Sequence, residues 1–466
     1  MKYIRQPYDY QLKVLEESYK HKDYAFFCEV GTGKSLLAVN FARNKFLSYG
    51  RRLRTIIFCP NVVLYNWIEE WVQNSELDRS NFLVLDQPGK KRAELIRQNP
   101  GKIFITNYES LNIEPFKQAL TAWEPELIIW DESQKLKDIT TDRVKHAKKI
   151  AELAKHRIIL SGTPILNSTM DIFSQYYCMD LGETFGKNFY TFRSTYFTDK
   201  NARMPSHAHF PNWIPKPTMQ KELQEKIAAK SAVVTQEVLN LPELEKIVCK
   251  VRLDNKQKYN YEKMRKDLVI YLNDKACVAN LALTKALRLL QIVSGFYKMD
   301  DDTIIRMHPN PRLTALKELL DLHTPVKKVL IWAVFKQNYQ DISELCDRLG
   351  LKYVIITGDT KPKVRQQYID QFTNDPETKV FIGHPTSAGI GCNLTSSPMA
   401  IFYSRTFSLE QYEQANGRHN RNGAQKWDKL FTIDLVAEDT IDEQVLEALK
   451  EKRNIGDTAL RKFLGV

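Results

Sequence analysis

The stretch Cys28-Glu29-Val30-Gly31-Thr32-Gly33-Lys34-Ser35 follows the apolar run Ala25-Phe26-Phe27 and precedes an apolar segment, Leu36 to Ala42. A strand, a glycine-containing turn ending in Lys-Ser and then a helix form an arrangement that cradles a polyphosphate. The turn's N–H groups and the helix N-terminus face the anion. The Lys reaches the β- and γ-phosphates and the Ser hydroxyl can ligate Mg²⁺. Gly31, Thr32, Gly33, Lys34 and Ser35 are therefore candidates for holding a nucleoside triphosphate such as ATP, with Ser35 on the metal. The full pattern needs glycine at 28, and this chain has Cys28. Taken alone, the stretch is also compatible with an ordinary turn.

The partner that decides between these readings is Leu127-Ile128-Ile129-Trp130-Asp131-Glu132. An apolar run ending in two acids puts both carboxylates at the C-terminal edge of a buried strand, where nucleotide sites of parallel sheets lie. Phosphoanhydride hydrolysis uses both, one on Mg²⁺ and the other as the base that positions and deprotonates water. A further strand, Arg157-Ile158-Ile159-Leu160, runs into Ser161-Gly162-Thr163-Pro164. The hydroxyls of Ser161 and Thr163 can report the γ-phosphate to the carboxylates, or simply form a β-turn.

The 466 residues exceed one compact core, so two or three domains are expected. Hydrophobic content of 43% with 27% charged residues describes a globular chain, and the net charge of +12 suits a polyanionic partner. Seven cysteines without a C-x-x-C pair suggest neither a zinc site nor a disulfide framework. The N-terminus is unlike a signal peptide, and no apolar run reaches the roughly 18 residues of a membrane span. A cytoplasmic location, nucleoid-associated or in a host cytoplasm, is expected, with no membrane partner.

Between these motifs, Thr55–Pro60, Phe82–Asp86 and Lys102–Tyr108 read as strands separated by helices, which argues a mostly parallel α/β sheet. Trp67 and Trp71 share a helical face, as core aromatics commonly do. Residues 203–217 read as a surface loop or small insertion, and 255–297 as a helical, basic segment that is either a solvated face or a DNA-facing protrusion. A second α/β pattern follows, with strands at 328–333, 353–357, 379–382, 399–403 and 430–433 and no second phosphate loop. It carries Thr386-Ser387-Ala388-Gly389-Ile390-Gly391-Cys392, whose glycines permit close approach to phosphate or ribose and whose hydroxyls can bond a nucleic-acid backbone. It also carries Gln414-Ala415-Asn416-Gly417-Arg418-His419-Asn420-Arg421, whose two arginines, three apart, are placed on one helical face.

Together these residues resemble the superfamily 2 helicase motor and, within it, the SWI/SNF-like group. The resemblance implies an α/β fold of two RecA-like parallel-sheet lobes in tandem with helical insertions between them. The expected division is a lobe over 1–225, a helical protrusion over 226–310 and a second lobe over 311–466. Tyr10-Gln11 resembles the adenine-reading motif, and Asn66-Trp67 and Thr106-Asn107-Tyr108 resemble motifs on the nucleic-acid side. Asp131-Glu132-Ser133-Gln134 is similar to the DEAH box, with Gln134 in place of His and Asp138 in place of the usual Asn. Ser161–Asn167 resembles motif III. The 386–394 stretch resembles motif V, with Gly391 at the nucleotide. The 414–421 stretch resembles motif VI, with Arg418 and Arg421 as arginine fingers. Coupling falls to Gln134, Ser161, Thr163 and Gln414. Nucleic-acid contact falls to Asn66, Trp67, Thr106, Thr357, Thr386 and Ser387. The tail Asp439-Thr440-Ile441-Asp442-Glu443 resembles the segment that closes such motors.

The implied activity is that of a monomeric ATP- and Mg²⁺-dependent motor on double-stranded or branched DNA, compact as a viral or bacterial member would be. A strand-separating DNA or RNA helicase and a nucleotide-gated binding protein without turnover are the other readings.

Overall fold

A computed structural model describes residues 3–165, 168–203, 211–273, 279–299, 303–388 and 393–451. The chain divides into two compact units that meet at Val238/Leu239.

In the first unit, strands β1 (Tyr24–Cys28), β2 (Thr55–Phe58), β3 (Phe82–Leu85), β4 (Ile103–Thr106), β5 (Leu127–Asp131) and β6 (His156–Ser161) alternate with helices. These helices are α1 (Asp9–Tyr19), α2 (Lys34–Ser48), α3 (Leu64–Asn74), α4 (Lys90–Gln98), α5 (Glu114–Trp123) and α6 (Asp142–Ala151). Then come α7 (Ile172–Asp180), α8 (Phe189–Tyr196), the antiparallel pair β7 (Phe197–Asp199) and β8 (Trp213–Pro215), α9 (Gln220–Ala228) and β9 (Ser231–Val234). The seven-stranded parallel sheet has the order β3-β4-β2-β5-β6-β1-β9.

Its strands are apolar runs rather than alternating ones because both faces are covered. Along β1, Ala25 and Phe27 join the core formed with α5, α6 and α7, while Tyr24, Phe26 and Cys28 join that formed with α1, α2 and α3. Trp67 and Trp71 of α3 are both buried in the latter, as their shared face predicts. The order also places β6 between the phosphate-loop strand β1 and the carboxylate strand β5. The ends of all three strands therefore share one rim.

The second unit begins with β10 (Glu243–Val251), α10 (Asn255–Asn273), α11 (Ala279–Val293) and the hairpin β11 (Phe296–Lys298) with β12 (Ile304–Arg306). It continues through α12 (Pro311–His323), β13 (Val329–Trp332), α13 (Lys336–Arg348), β14 (Lys352–Ile356), α14 (Pro362–Asn374) and β15 (Thr378–Gly383). It closes with β16 (Met399–Phe402), α15 (Leu409–Asn416) and β17 (Lys429–Ala437). These build a six-stranded parallel sheet, β10-β17-β16-β13-β15-β14, with α12 and α13 in one facial core and α14 and α15 in the other.

Both lobes are thus parallel sheets faced by helices, as expected. The boundaries differ. Residues 226–310 form no third unit, because β9 pairs with β1 while β10 pairs with β17 along nine residues. The helical segment α10–α11 belongs to the second unit, where Tyr261 and Leu289 enter the core. Hydrogen bonding at sheet edges, invisible in local composition, decides where these strands go. Of the 203–217 loop, residues 204–210 lie outside the described residues, and 213–215 is a strand.

In the second unit, buried charge is paired. Arg405 Nη1 lies 2.5 Å from Asp434 Oδ1, whose other oxygen accepts from Tyr412 at 2.9 Å. Arg312 pairs with Asp442, so the Thr440-Ile441-Asp442 tail anchors α12 and, through Ile441 N–H on Tyr261, also α10. Among the described residues no helix is long and apolar enough to cross a membrane.

Candidate active site

The phosphate loop leaves β1 after Cys28, a buried residue whose thiol burial pushes up to about 12. Gly31 and Gly33 both adopt φ 90°, a conformation that favours glycine, and α2 begins at Lys34. No side chain among the described residues caps α2 and no acid sits in its first turn. Its first N–H groups are therefore available to an anion.

The loop is braced from two sides. Tyr10 Oη and Gln11 Nε2 both donate to Thr32 O at 3.0 Å, and Gln11 Oε1 accepts the Tyr8 N–H at 3.0 Å. From the end of β9, Gln236 donates its N–H to Glu29 Oε2 at 2.7 Å and its amide to Val30 O at 2.8 Å. A side chain at 33 would be strained at φ 90° and would displace the Gln11 amide, since a Cβ there would sit 2.3 Å from Nε2. Gln11, expected at adenine, therefore holds the loop. Beside it, Tyr10, Val14, Val233 and Val238 line a cavity of about 530 Å³, within the usual size range of small-ligand sites.

Asp131 ends β5, and Glu132 turns the chain in a left-handed conformation at φ 52°. Lys34 Nζ lies 3.3 Å from Glu132 Oε1, and Gln134 Nε2 donates to Glu132 Oε2 at 2.7 Å. Gln134 Oε1 accepts from Ser161 Oγ at 2.7 Å, and Ser161 Oγ accepts the Thr163 N–H at 3.0 Å. Three of the four expected coupling residues, Gln134, Ser161 and Thr163, thus form one hydrogen-bonded chain from carboxylate to turn, whereas Gln414 lies on α15 of the second unit with its Nε2 3.4 Å from Glu410 Oε1. Gln134 makes both bonds with its neutral amide. Gly162 sits in the same crowd, where a Cβ would lie 3.3 Å from both Lys34 Nζ and Cys28 O.

A second bridge was not legible in the sequence. Buried Gln175 of α7 accepts from Ser133 Oγ at 2.7 Å and donates to Pro164 O at 2.7 Å, tying the same two turns together. Nothing in its local pattern distinguishes it from a core-facing residue.

The Asp131 carboxyl is half-buried and pushed upward, first by desolvation and then by Glu132, with Lys34 opposing. Among the described residues no group of three or more His, Cys, Asp or Glu could cage a metal alone. A half-buried carboxylate in electrostatic reach of Lys34, together with a Ser at the start of α2, fits Mg²⁺, which commonly takes one or two protein oxygens plus substrate phosphates.

Two residues expected to touch nucleic acid do something else. Trp67 is 3% exposed and its Nε1 donates to Asp131 Oδ2 at 2.9 Å. Thr106 is fully buried, with its hydroxyl donating to Leu85 O at 3.0 Å and lying 2.6 Å from Ser110 Oγ. Burial of the strand end and of one face of α3 removes both from any track. Asn66 is half-buried on α3. Tyr108, also buried, donates from Oη to Asp131 O at 2.8 Å.

In the second unit, Thr357 follows β14, and Thr386 and Ser387 follow β15, the neighbouring strand. Ser387 Oγ would lie 3.5 Å from a Cβ at Gly358, so these hydroxyl-bearing turns adjoin. The shared helical face expected for the two arginines is not formed. Helix α15 stops at Asn416, and Arg418 and Arg421 lie in the turns beyond it. Gly417 starts the turn, and Arg418 Nε donates to Gln414 O at 3.0 Å. Gly391, with 389, 390 and 392, and Asn167 lie outside the described residues.

Known proteins are similar to this chain along nearly its whole length. Protein p41 of Acyrthosiphon pisum secondary endosymbiont phage 1 is 26% identical over 97% of this chain and 98% of its own length. A Caenorhabditis elegans homologue of the SWI/SNF-related matrix-associated actin-dependent regulator of chromatin subfamily A-like protein 1 is 25% identical over 92% of this chain, which spans 58% of that relative. The Sulfolobus solfataricus SWI2/SNF2 ATPase core, solved in complex with dsDNA, aligns over 98% of this chain and 93% of its own at 22% identity and a TM-score of 0.45. The helicase conserved C-terminal domain matches residues 311–423. The SNF2-related domain matches residues 11–295, more than half of the sequence, and the chain belongs to that family.

Proposed function

We propose that the chain is a nucleic-acid-dependent ATPase that uses hydrolysis to translocate on, or remodel, double-stranded or branched DNA. The observation that carries this reading is the bonded chain Lys34–Glu132–Gln134–Ser161–Thr163 on the rim formed by β1, β5 and β6. It joins a cation placed for phosphate, a carboxylate placed as base and a turn hydrogen-bonded to them. A carboxylate held at both oxygens is oriented before substrate arrives, the preorganisation that hydrolysis by general base requires.

In this reading Lys34 and the α2 N-terminus bind the β- and γ-phosphates, and the cavity beside Tyr10 takes the base. Asp131 and the Ser35 hydroxyl would hold Mg²⁺, which when bound neutralises phosphate charge. Glu132 accepts the proton of the attacking water. Arg418 and Arg421 are assigned to the γ-phosphate charge in the transition state. Thr357, Thr386 and Ser387 are assigned to the DNA backbone, with the net charge of +12 favouring a polyanion.

ATP hydrolysis measured alone and with single-stranded DNA, duplex DNA, forked DNA and RNA tests the reading. Stimulation by duplex or forked DNA, with triplex displacement and no unwinding, is expected. Absence of stimulation by any nucleic acid would reject a motor, stimulation by RNA alone would reject the DNA track, and unwinding would select the strand-separating helicase.

A further inference from the structure

Helix α3 carries two buried tryptophans one turn apart in the same facial core, and their indole N–H groups end differently. Trp71 is fully buried, stacks on Phe46 with centroids 6.0 Å apart, and its Nε1 has no hydrogen-bond partner among the described residues. Trp67 directs its Nε1 onto Asp131 Oδ2 at 2.9 Å. The other oxygen, Oδ1, accepts the Glu132 N–H at 3.0 Å. The terminal torsion of an aspartate is broad and roughly two-fold, so a carboxylate held by one donor retains rotational freedom. Donors on both oxygens, one from the adjoining backbone and one from α3, remove it. Each oxygen keeps a second lone pair, so ligation stays open.

We propose that Trp67 is a positioning residue for Asp131, through which α3 sets the metal affinity of the nucleotide site. This rests on the assignment of Asp131 to Mg²⁺. Packing alone does not account for the arrangement: a phenyl ring would serve an apolar pocket, and the indole N–H is the group that meets the carboxylate. Outer partners that orient a metal ligand typically contribute about tenfold to hundredfold in metal affinity.

Mn²⁺ titration of the full chain in the presence of ADP, with free Mn²⁺ read by electron paramagnetic resonance, tests the proposal in W67F and W71F. Both variants make the same chemical change on one helix, and only the first loses a bond. W67F is expected to bind Mn²⁺ about tenfold to hundredfold more weakly, with ADP affinity in EDTA retained, while W71F matches wild type. Equal Mn²⁺ affinity in W67F and wild type, or an equal loss in W71F, overturns the proposal. Absence of any ADP-linked Mn²⁺ site in wild type instead rejects the Asp131 metal assignment on which it rests. A measurement on wild type guards against misfolding of W67F. The Trp67 indole ¹⁵N–¹H resonance should exchange slowly with solvent and broaden on adding Mn²⁺ and ADP. A rapidly exchanging or unbroadened Trp67 signal overturns the proposal.

Discussion

Gln134 joins Glu132 to Ser161: its amide nitrogen donates to the carboxylate at 2.7 Å and its carbonyl accepts the serine hydroxyl at 2.7 Å. An amide makes both bonds at any pH between those that ionise its neighbours. A hydrogen bond to a charged group contributes about 1.5–3 kcal/mol. Q134A should therefore lower kcat by about tenfold to hundredfold with ATP affinity little changed, as steady-state kinetics will show. Q134H should retain activity while its imidazole is neutral and lose it below about pH 6.5, because imidazolium cannot accept from Ser161. Wild type should lack that inflection.

Glu132 and Lys34 are bonded to each other but act at different stages. E132Q should reduce turnover by on the order of 10³-fold or more while ATP still binds, a loss in the range seen when a central catalytic group is removed. K34A should weaken ATP binding itself. Equilibrium binding of a fluorescent ATP analogue separates the two; retained hydrolysis in E132Q would remove Glu132 from the base role.

Arg418 and Arg421 should behave alike if both meet the γ-phosphate. Alanine at either position should lower kcat by on the order of 10³-fold, the lower end for arginine fingers, with ADP affinity unchanged. Nucleic-acid-stimulated turnover and ADP binding measured on the same preparations check this. A variant that loses ADP affinity equally would place its arginine in the second unit's packing instead.

Asp23 and Arg157 form an ion pair at 2.8 Å with both side chains at most 3% exposed, and Arg157 also donates to the carbonyls of Met179, Ala151 and Ala154. Removing one partner strands the other's charge, at a cost of about 3–5 kcal/mol. D23A should lower the urea midpoint of the first unit by a corresponding amount, and a change within error would show that the three carbonyls suffice for Arg157.

Glu126 is 3% exposed beneath Arg51 and Lys155, and Arg51, the Arg54 N–H and Lys155 hold its carboxyl well below the ordinary range. A depressed carboxyl stabilises the fold above the unfolded value of about 4.3 and loses that contribution as pH falls towards its folded value. Stability of the first unit should decline below about pH 4.3. In E126Q the fold should be weaker at pH 7 and the decline shallower, as urea midpoints between pH 3 and 7 will show.

Chemical identity at the site was legible because the phosphate loop, the Asp-Glu strand and the Gln-x-x-Gly-Arg-x-x-Arg stretch each combine residue types that local geometry must present together. The apolar strands were legible for the same reason: burial on both faces leaves a continuous hydrophobic run. Arg418 and Arg421 were placed on a helix by their spacing alone, whereas α15 ends at Asn416 with Gly417 beginning the turn.

By itself the sequence determined two α/β units, one phosphate loop, the acid pair and the serine-threonine turn. Tertiary structure decided which strands adjoin. β6 enters between β1 and β5, so Ser161 meets Gln134 and Gly162 meets Lys34. It also directed the buried Trp67 indole onto Asp131 and made Gln175 a bridge between two turns. The Trp67–Asp131 bond spans 64 positions and the approach of Gly162 to Lys34 spans 128. A hydrogen bond across that distance leaves no local pattern, because its partners are selected by sheet order and helix packing rather than by their neighbours in the chain.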